Sequence, residues 1–211
     1  MTILPMDVWC TPMSLERDNP QDVAWLIYES APELFALIFG RKAVPILTAL
    51  VKRSRNRFSH RYIRVAQASS RVLGIAIVVG AADVNDNADY HTVLSFWGQL
   101  RLQLVQSLIL NRVLKHDYPP GTFYIANLAV HPDYRAKGIG TQLLLRCIAD
   151  AKAAEASAVF ISVSIDNPRA QKLYESLGFQ VVAAKTMHLF RSALGTRVLA
   201  LSLRDDCLIN S

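Results

Sequence analysis

The feature that most constrains the fold is a segment that runs from a strand through a glycine-containing turn into a helix. Residues 122–130 are rich in apolar and β-forming side chains and predict a buried strand. From 138 to 154 the apolar positions recur at helical spacing, which predicts an amphipathic helix. The buried stripe of that helix comprises Ile139, Leu143, Cys147 and Ala151. Gly138 and Gly140 stand at its beginning.

Glycines at a helix start predict an anion site. They let the backbone approach a ligand, and the free N–H groups and the positive end of the helix dipole favour negative charge there. Arg135 and Lys137 add two cations. A Walker A loop is excluded because Thr141 and Gln142 follow the second glycine, and a dinucleotide fingerprint because Leu143 stands where a third glycine is needed. A pyrophosphate is the expected ligand; the alternative is that the glycines serve only the tight packing of the turn.

The order of the other predicted elements favours a mixed α/β fold built on one central sheet. Helices are predicted at 21–39, 44–52, 94–114 and 168–177, and further strands at 62–68, 71–79, 159–165, 179–185 and 198–203. The helix over 94–114 has three interpretations: ordinary core, a cover over a substrate pocket, or a dimer face. No repeat or linker divides the chain, which predicts a single domain over 1–211.

A second motif follows about thirty residues after the glycines. Asn167 precedes Pro168, which suits the first turn of a helix, and Gly178 suits its end. Within and after that helix stand Ala170, Leu173, Tyr174, Gly178 and Phe179.

Together the two motifs, across 124–182, resemble the GNAT acetyltransferase superfamily. Arg135, Gly138 and Gly140 match its Arg/Gln-x-x-Gly-x-Gly/Ala loop, and the second motif matches its Asn followed by Ala-x-x-Leu-Tyr-x-x-x-Gly-Phe. The resemblance implies the acyl-CoA N-acyltransferase fold, a central mixed sheet flanked by helices, with a CoA-binding core at about 122–182. It also implies transfer of an acetyl or other acyl group from acetyl-CoA to a primary amine, by direct attack in a ternary complex. The alternative is a non-catalytic module that binds or senses acyl-CoA.

The resemblance also implies which residues hold the co-substrate. The strand backbone at Leu128, Ala129 and Val130 would bind the acyl-pantetheine arm and polarise the thioester carbonyl. Asn167 would contact the pantetheine, cap the helix at Pro168, or do both. The pyrophosphate would be held by the loop residues Arg135, Ala136, Lys137, Gly138, Ile139, Gly140 and Thr141.

Tyr174 is the predicted catalytic residue, since relatives often place a tyrosine here. A phenol with an ordinary pKa near ~10 is protonated at neutral pH and can donate to the departing thiolate. The alternative is that Tyr174 only packs against the sheet.

The general base stays open because the strand over 122–130 has no acidic residue. The candidates, beside a water chain, are Glu29, Glu33, Asp83, His91 and His131. Glu29 and Glu33 lie on the first predicted helix, which in the family lines the acceptor side. Phe96 and Trp97 are the candidates for shaping the acceptor pocket. The acceptor is expected to be a small-molecule amine or an amine of a peptide or protein.

Composition narrows the remaining classes. The chain is 52% hydrophobic and 19% charged, which is typical of a globular protein. Its three cysteines form no CxxC pair, so we expect reduced thiols and neither disulfides nor a bound metal. The N-terminus does not read as a signal peptide, and the stretch 94–114 is too polar to span a membrane. We expect a cytoplasmic protein without a membrane partner. Its oligomeric state stays open, with a homodimer as one alternative.

Six basic residues lie between 52 and 64, and their summed charge equals the net charge of the chain, +6. They are Lys52, Arg53, Arg55, Arg57, Arg61 and Arg64. The interpretations are a solvated surface, a positive rim that attracts CoA, or a nucleic-acid contact. The last is disfavoured, because only Phe58 and Tyr62 offer aromatic rings for base stacking in that run.

Overall fold

A seven-stranded sheet organises the molecule. The computed structural model describes residues 8–69, 71–107, 118–189 and 192–204. The strands are β1 (Trp9–Pro12), β2 (Ile63–Ala68), β3 (Arg71–Gly80), β4 (Thr122–Val130), β5 (Ala158–Ser164), β6 (Gln180–Leu189) and β7 (Ser192–Ser202). They are ordered β1-β2-β3-β4-β5-β7-β6, and β4 and β5 are the parallel pair in an otherwise antiparallel sheet. The mixed sheet confirms the predicted fold class.

Helices cover both faces of the sheet and enclose two hydrophobic cores. They are α1 (Pro20–Ser30), α2 (Pro32–Phe39), α3 (Ala43–Val51), α4 (Tyr90–Val93), α5 (Phe96–Val105), α6 (Ile139–Ala153) and α7 (Pro168–Ser176). The first core joins α1 to α5 with β2 and β3, through Phe35, Leu47 and Ile75. The second joins α6 and α7 with β3 to β5, through Leu143 and Phe179.

The single helix predicted over 21–39 is wrong at one point. The helix is interrupted between α1 and α2 at Ala31, whose φ of −159° and ψ of 67° are not helical. Pro32 explains the break, because a proline lacks the N–H that a continuing helix needs and disfavours helical geometry in the residue before it. The break turns the chain so that Ser30 and Ala31 face the centre of the sheet, where they line a cavity.

The stretch Pro32–Val51 is long and apolar enough to cross a membrane by length and composition, with a mean hydropathy of 1.8. In this fold it consists of α2, a turn of 3₁₀ helix at Gly40–Lys42, and α3. Phe35, Ile38 and Leu47 from this stretch pack in the first core. Its apolar character therefore serves packing against the sheet.

Other boundaries differ from prediction for reasons of packing. The short edge strand β1 was not predicted, since its four residues gain strand geometry only by pairing with β2. Strands β6 and β7 extend beyond the predicted 179–185 and 198–203, because each provides the other's ladder partner as far as Leu189 and Ser192. The helix predicted over 94–114 is described as α5, and its predicted part from 108 onward lies outside the described residues.

Strands β4 and β5 separate halfway along their length. Their pairing covers Thr122–Ile125 and ends with Ile125 opposite Ile161. At that point Ala126 is an extra residue in β4, since Asn127 lies opposite Ile77 while Ile125 lies opposite Val78. A bulge of this kind bends a strand and increases its twist. The two strands diverge and open a cleft at the middle of the sheet.

Candidate active site

Two cavities meet in the cleft between β4 and β5. We call the one beside the turn before α6 the loop cavity, with a volume of about 570 Å³. The other, the inner cavity of about 460 Å³, extends toward α2, α5 and the segment at 57–58. Both are lined by Ser30, Leu128, Asn167 and Tyr174. A molecule in one cavity therefore adjoins a molecule in the other at Tyr174.

The turn before α6 presents backbone N–H groups to the loop cavity. Ala136 and Gly138 have left-handed φ angles of 63° and 81°. No side chain caps the first turn of α6, and that turn has no acidic residue. Left-handed residues at a helix N-terminus form a concave nest for an anion. The loop thus has the geometry that a pyrophosphate needs.

The two cations of the loop occupy different positions. Arg135 lines the loop cavity, and its Nε donates to the carbonyl of Val130 over 3.0 Å. Lys137 is exposed, with its Nζ 4.9 Å from the centre of the Tyr134 ring. Lys137 is the one predicted co-substrate residue that does not line the loop cavity.

The other predicted co-substrate residues do line it: Leu128, Ala129, Val130, Arg135, Ala136, Gly138, Ile139, Gly140, Thr141, Asn167 and Tyr174. Beyond the bulge, residues 127–130 pair with β3 on one side and have no strand partner toward β5 among the described residues. Their free backbone groups face the cleft. A Cβ on Gly140 would lie 3.8 Å from both Val130 and Leu173, which is an ordinary van der Waals distance, so packing within the protein does not require a glycine there.

Asn167 both caps a helix and lines the cavities. Its Oδ1 accepts from the backbone N–H of Ala170 at 3.1 Å, at the start of α7. It also lines both cavities. The predicted helix cap is confirmed, and the pantetheine contact stays a prediction at a residue that lines the loop cavity.

Tyr174 lies at the junction of the cavities on α7. The residue is 6% exposed. Burial, and secondly the nearby Tyr124, raise the pKa of its phenol to about 12. The hydroxyl stays protonated at neutral pH, as a proton donor must.

The candidate bases are spread over the molecule. Glu29, at the end of α1, lines the loop cavity and is the one carboxylate that lines either cavity among the described residues. Glu33 and His91 are exposed, and Asp83 hydrogen-bonds Tyr62. His131 packs beside Trp25, with ring centres 5.1 Å apart. Of the five candidates, the geometry brings only Glu29 to the cleft.

The acceptor-side prediction for α5 does not match its geometry. Phe96 and Trp97 are 73% and 74% exposed and line neither cavity. Leu102 and Gln106, further along the same helix, line the inner cavity instead. The first turn of α5 faces solvent, and the residues of this helix that reach the inner cavity lie further along it.

The inner cavity contains polar residues that sequence reasoning missed. Asn127 donates to the hydroxyl of Ser30 over 2.7 Å, which ties β4 to the end of α1. The ring of Tyr118 stacks on that of Tyr124 at 4.5 Å between centres. Tyr124, Ala126, Asn127 and Leu128 all line the cavity, so the lining of β4 does not follow simple alternation across the bulge at Ala126. No sequence pattern singled out Tyr124, Tyr118 or Arg57 as a cavity residue.

The described residues hold no group of three or more His, Cys, Asp or Glu side chains placed to bind a metal ion. The polar side chains that line the two cavities include tyrosines, asparagines and serines, together with Arg57, Arg135 and Glu29.

A mixed sheet whose parallel pair opens beside an anion-binding helix start defines the class of acyl-CoA N-acyltransferase folds. The chain belongs to the acetyltransferase (GNAT) family, whose model matches residues 52–179. The match includes the loop and the motif around Tyr174.

Relatives and solved structures agree with this assignment. The chain is 46% identical to N-alpha-acetyltransferase 30 of Xenopus laevis over 56 residues, 26% of this chain and 20% of that protein. This match spans about a fifth of the relative's length. An N-acetyltransferase from Staphylococcus aureus Mu50 has a TM-score of 0.68 at 17% identity, over 92% of this chain and 100% of that one. A chain of the NatC complex bound to Gag peptide and CoA has a TM-score of 0.60 at 14% identity, over 94% and 100%. These two structures are similar in fold.

Proposed function

We propose that the protein is an N-acetyltransferase that transfers an acetyl group from acetyl-CoA to the amine of a peptide or protein. The observation that carries the proposal is the meeting of the two cavities at Tyr174. One is built for a pyrophosphate-containing ligand, and the other opens beside the point where the thioester would lie.

The loop cavity would take the co-substrate. Backbone N–H groups from Gly138 to Thr141 would bind the pyrophosphate, with Arg135 beside them. The backbone of Leu128 to Val130 pairs with β3 but has no strand partner on the β5 side. On that side it would extend the sheet along the pantetheine arm and donate to the thioester carbonyl. Bound acetyl-CoA supplies the activated acyl group, and the protein holds and polarises it.

The inner cavity would take the acceptor. Its volume of about 460 Å³ lies within the usual range for ligand pockets and suits the first few residues of a peptide. The similarity to an N-alpha-acetyltransferase and to a chain of a peptide-bound NatC complex favours a peptide amine over a small molecule.

The proposed reaction is direct transfer in a ternary complex. The neutral amine forms a bond to the thioester carbonyl carbon, the C–S bond breaks, and the sulfur leaves with the electron pair. Tyr174 donates its proton to that sulfur. Glu29, directly or through water, accepts the proton that the amine loses.

Acetyl-CoA binding is the first test of the proposal. Ligand at about a hundred times its Kd adds roughly 2.7 kcal/mol to stability. For a chain of this size we expect the melting temperature to rise by about 5–10 °C. No rise with millimolar acetyl-CoA would contradict the proposal.

Thiol release with N-terminal peptides then separates the enzyme from the alternative. Steady release of CoA that depends on the peptide supports catalysis. A thermal shift without release from any amine would favour a non-catalytic acyl-CoA-binding module.

A further inference from the structure

Arg57 is the one cation of the basic run 52–64 that faces a cavity. It lines the inner cavity. Arg55 pairs with Asp86 at 3.5 Å, and Arg64 pairs with Asp150 at 2.6 Å. The other three basic residues, Lys52, Arg53 and Arg61, are exposed. The run is therefore mostly surface, with one residue turned inward.

The position of Arg57 is fixed by its neighbours. The guanidinium carbon lies 4.9 Å from the centre of the Phe58 ring, and the guanidinium is near enough to Tyr90 to oppose the rise that burial causes in the pKa of its phenol. The preceding Asn56 is fully buried: its amide donates to Leu50 and Asp89, and its Oδ1 accepts from the N–H of Phe58 at 2.9 Å. These contacts hold Arg57 on the cavity wall before any ligand binds.

The charge of Arg57 has no counter-charge in the described part of the chain. Its Nε is buried without a hydrogen-bond partner among those residues, and no ion pair includes it. No Asp or Glu among the described residues lines the inner cavity. The carboxylates of the neighbouring loop are engaged elsewhere: Asp83 with Tyr62, Asp86 with Arg55, Asp89 with Asn56.

A guanidinium on a cavity wall without an anion leaves donors unused and loses hydration. Its planar fork matches a carboxylate, which can accept two parallel N–H bonds. The wall of the inner cavity thus contains both the Arg57 cation and Tyr174, beside which the reaction is proposed to occur.

We infer that Arg57 binds a carboxylate of the acceptor, so that the substrate class is amines that also contain an acidic group. The inference rests on the proposed function, because the inner cavity is the acceptor site only if the loop cavity holds acetyl-CoA. The carboxylate comes either from an acidic side chain near a peptide N-terminus or from a free acidic amino acid.

The test compares acceptors that differ only in that charge. The peptide pairs are Ala-Glu-Ala-Ala and Ala-Gln-Ala-Ala amides, with a second pair that moves Glu or Gln to the third position. The free pair is the α-amide of glutamate and the α-amide of glutamine, because free glutamine would itself carry a carboxylate. Each pair is measured as kcat/KM with acetyl-CoA, and as the thermal shift of the CoA complex. The variants are Arg57→Leu and Arg57→Lys, with Arg55→Leu as the control for a neighbouring paired arginine.

We expect the wild type to prefer the Glu member of at least one pair by tenfold or more in kcat/KM. Arg57→Leu reduces that ratio to about one, Arg57→Lys keeps part of it, and Arg55→Leu leaves it unchanged. If Arg57 has only a structural role, Arg57→Leu would lower kcat/KM for both members of a pair by the same factor. Should Arg57→Leu not fold, Arg57→Gln replaces it and keeps a polar side chain near Tyr90.

The outcomes separate this inference from the proposed function. The inference is overturned if the wild type shows equal kcat/KM and equal thermal shifts for the Glu and Gln members of every pair, or no response to either member. It is also overturned if Arg57→Leu leaves the Glu-to-Gln ratio of kcat/KM unchanged. Turnover of the peptides without discrimination preserves the proposed function alone. Arg57-dependent binding of the Glu members without turnover supports the inference and contradicts catalysis. The pair that discriminates identifies the source of the carboxylate.

Discussion

At the scale of single residues, burial determines what Tyr174 can do. Its surroundings raise the pKa to about 12, because an ionised phenol would lose hydration. Such a group cannot serve as a base at neutral pH, but it can donate a proton to a sulfur that leaves with negative charge. In the proposed reaction, its place between both cavities would bring the side chain next to that sulfur.

Tyr174→Phe tests this role, because it removes the hydroxyl and keeps the packing against Phe179. We expect kcat to fall at least tenfold, since a general acid contributes roughly 10²–10⁴-fold. The acetyl-CoA thermal shift should persist. In the wild type, activity should not decline through loss of this proton between pH 7 and 9, because the raised pKa lies well above that range. Wild-type turnover in Tyr174→Phe would remove the residue from the mechanism.

Gly138 contributes through its backbone. Its φ of 81° strains any L-residue, while a Cβ would meet nothing within 4 Å. Gly121 shares these properties at φ 74°, in a turn that lines neither cavity. It is therefore a matched control.

We expect Gly138→Ala and Gly121→Ala each to cost about 1–2 kcal/mol of unfolding free energy, the usual cost of a left-handed L-residue. Only Gly138→Ala should also weaken acetyl-CoA binding, because Gly138 lines the loop cavity proposed for acetyl-CoA and Gly121 does not. Thermal melts of both variants with and without acetyl-CoA provide the measurement. Equal acetyl-CoA affinity in the two variants would contradict the loop assignment.

At the scale of elements, the local parts of the site could be predicted and the distant parts could not. The turn into α6 and the Asn167 cap of α7 depend on neighbours in sequence, so motif and spacing were enough. The inner cavity unites α2, the segment at 57–58, the loop at 84–90, α5 and β5. No periodicity reports contacts over such separations. For the same reason the pattern did not reveal that Arg57 turns inward while Arg55 stays at the surface.

The segment that presents Arg57 depends on the buried side chain of Asn56. Replacing it with alanine would leave the Leu50 carbonyl and the Phe58 N–H without these bonds. Unsatisfied buried polar groups cost about 1–3 kcal/mol each. We expect Asn56→Ala to lower the free energy of unfolding by about 2–4 kcal/mol in a urea titration. The control Asn85→Ala, at an exposed position, should change it by less than about 0.5 kcal/mol. A similar small change in Asn56→Ala would show that the segment is held by other contacts.

At the scale of the whole molecule, the sheet separates two cores, and the site lies where the sheet opens between them. One core supports the side of the inner cavity with α1 to α5, and the other supports the side of the loop cavity with α6 and α7. Across the molecule, Arg64 on β2 pairs with Asp150 on α6, which also pairs with Arg146. Both substrates would therefore bind to one rigid frame and meet at its centre, without a covalent carrier between them.

The cysteines provide the test of that arrangement, because a thiol is the usual carrier where an acyl group is first transferred to the enzyme. Burial raises the pKa of Cys147 to about 12 and that of Cys10 above its ordinary value, and neither lines a cavity. Cys207 lies outside the described residues.

We expect initial rates at varied acetyl-CoA and peptide to give intersecting double-reciprocal lines. The triple variant Cys10→Ala, Cys147→Ala, Cys207→Ala should keep kcat within about threefold, since a thiol that acted as nucleophile would instead contribute orders of magnitude. Parallel lines, together with an acetylated protein formed without peptide and absent from the triple variant, would establish a covalent route and contradict direct transfer.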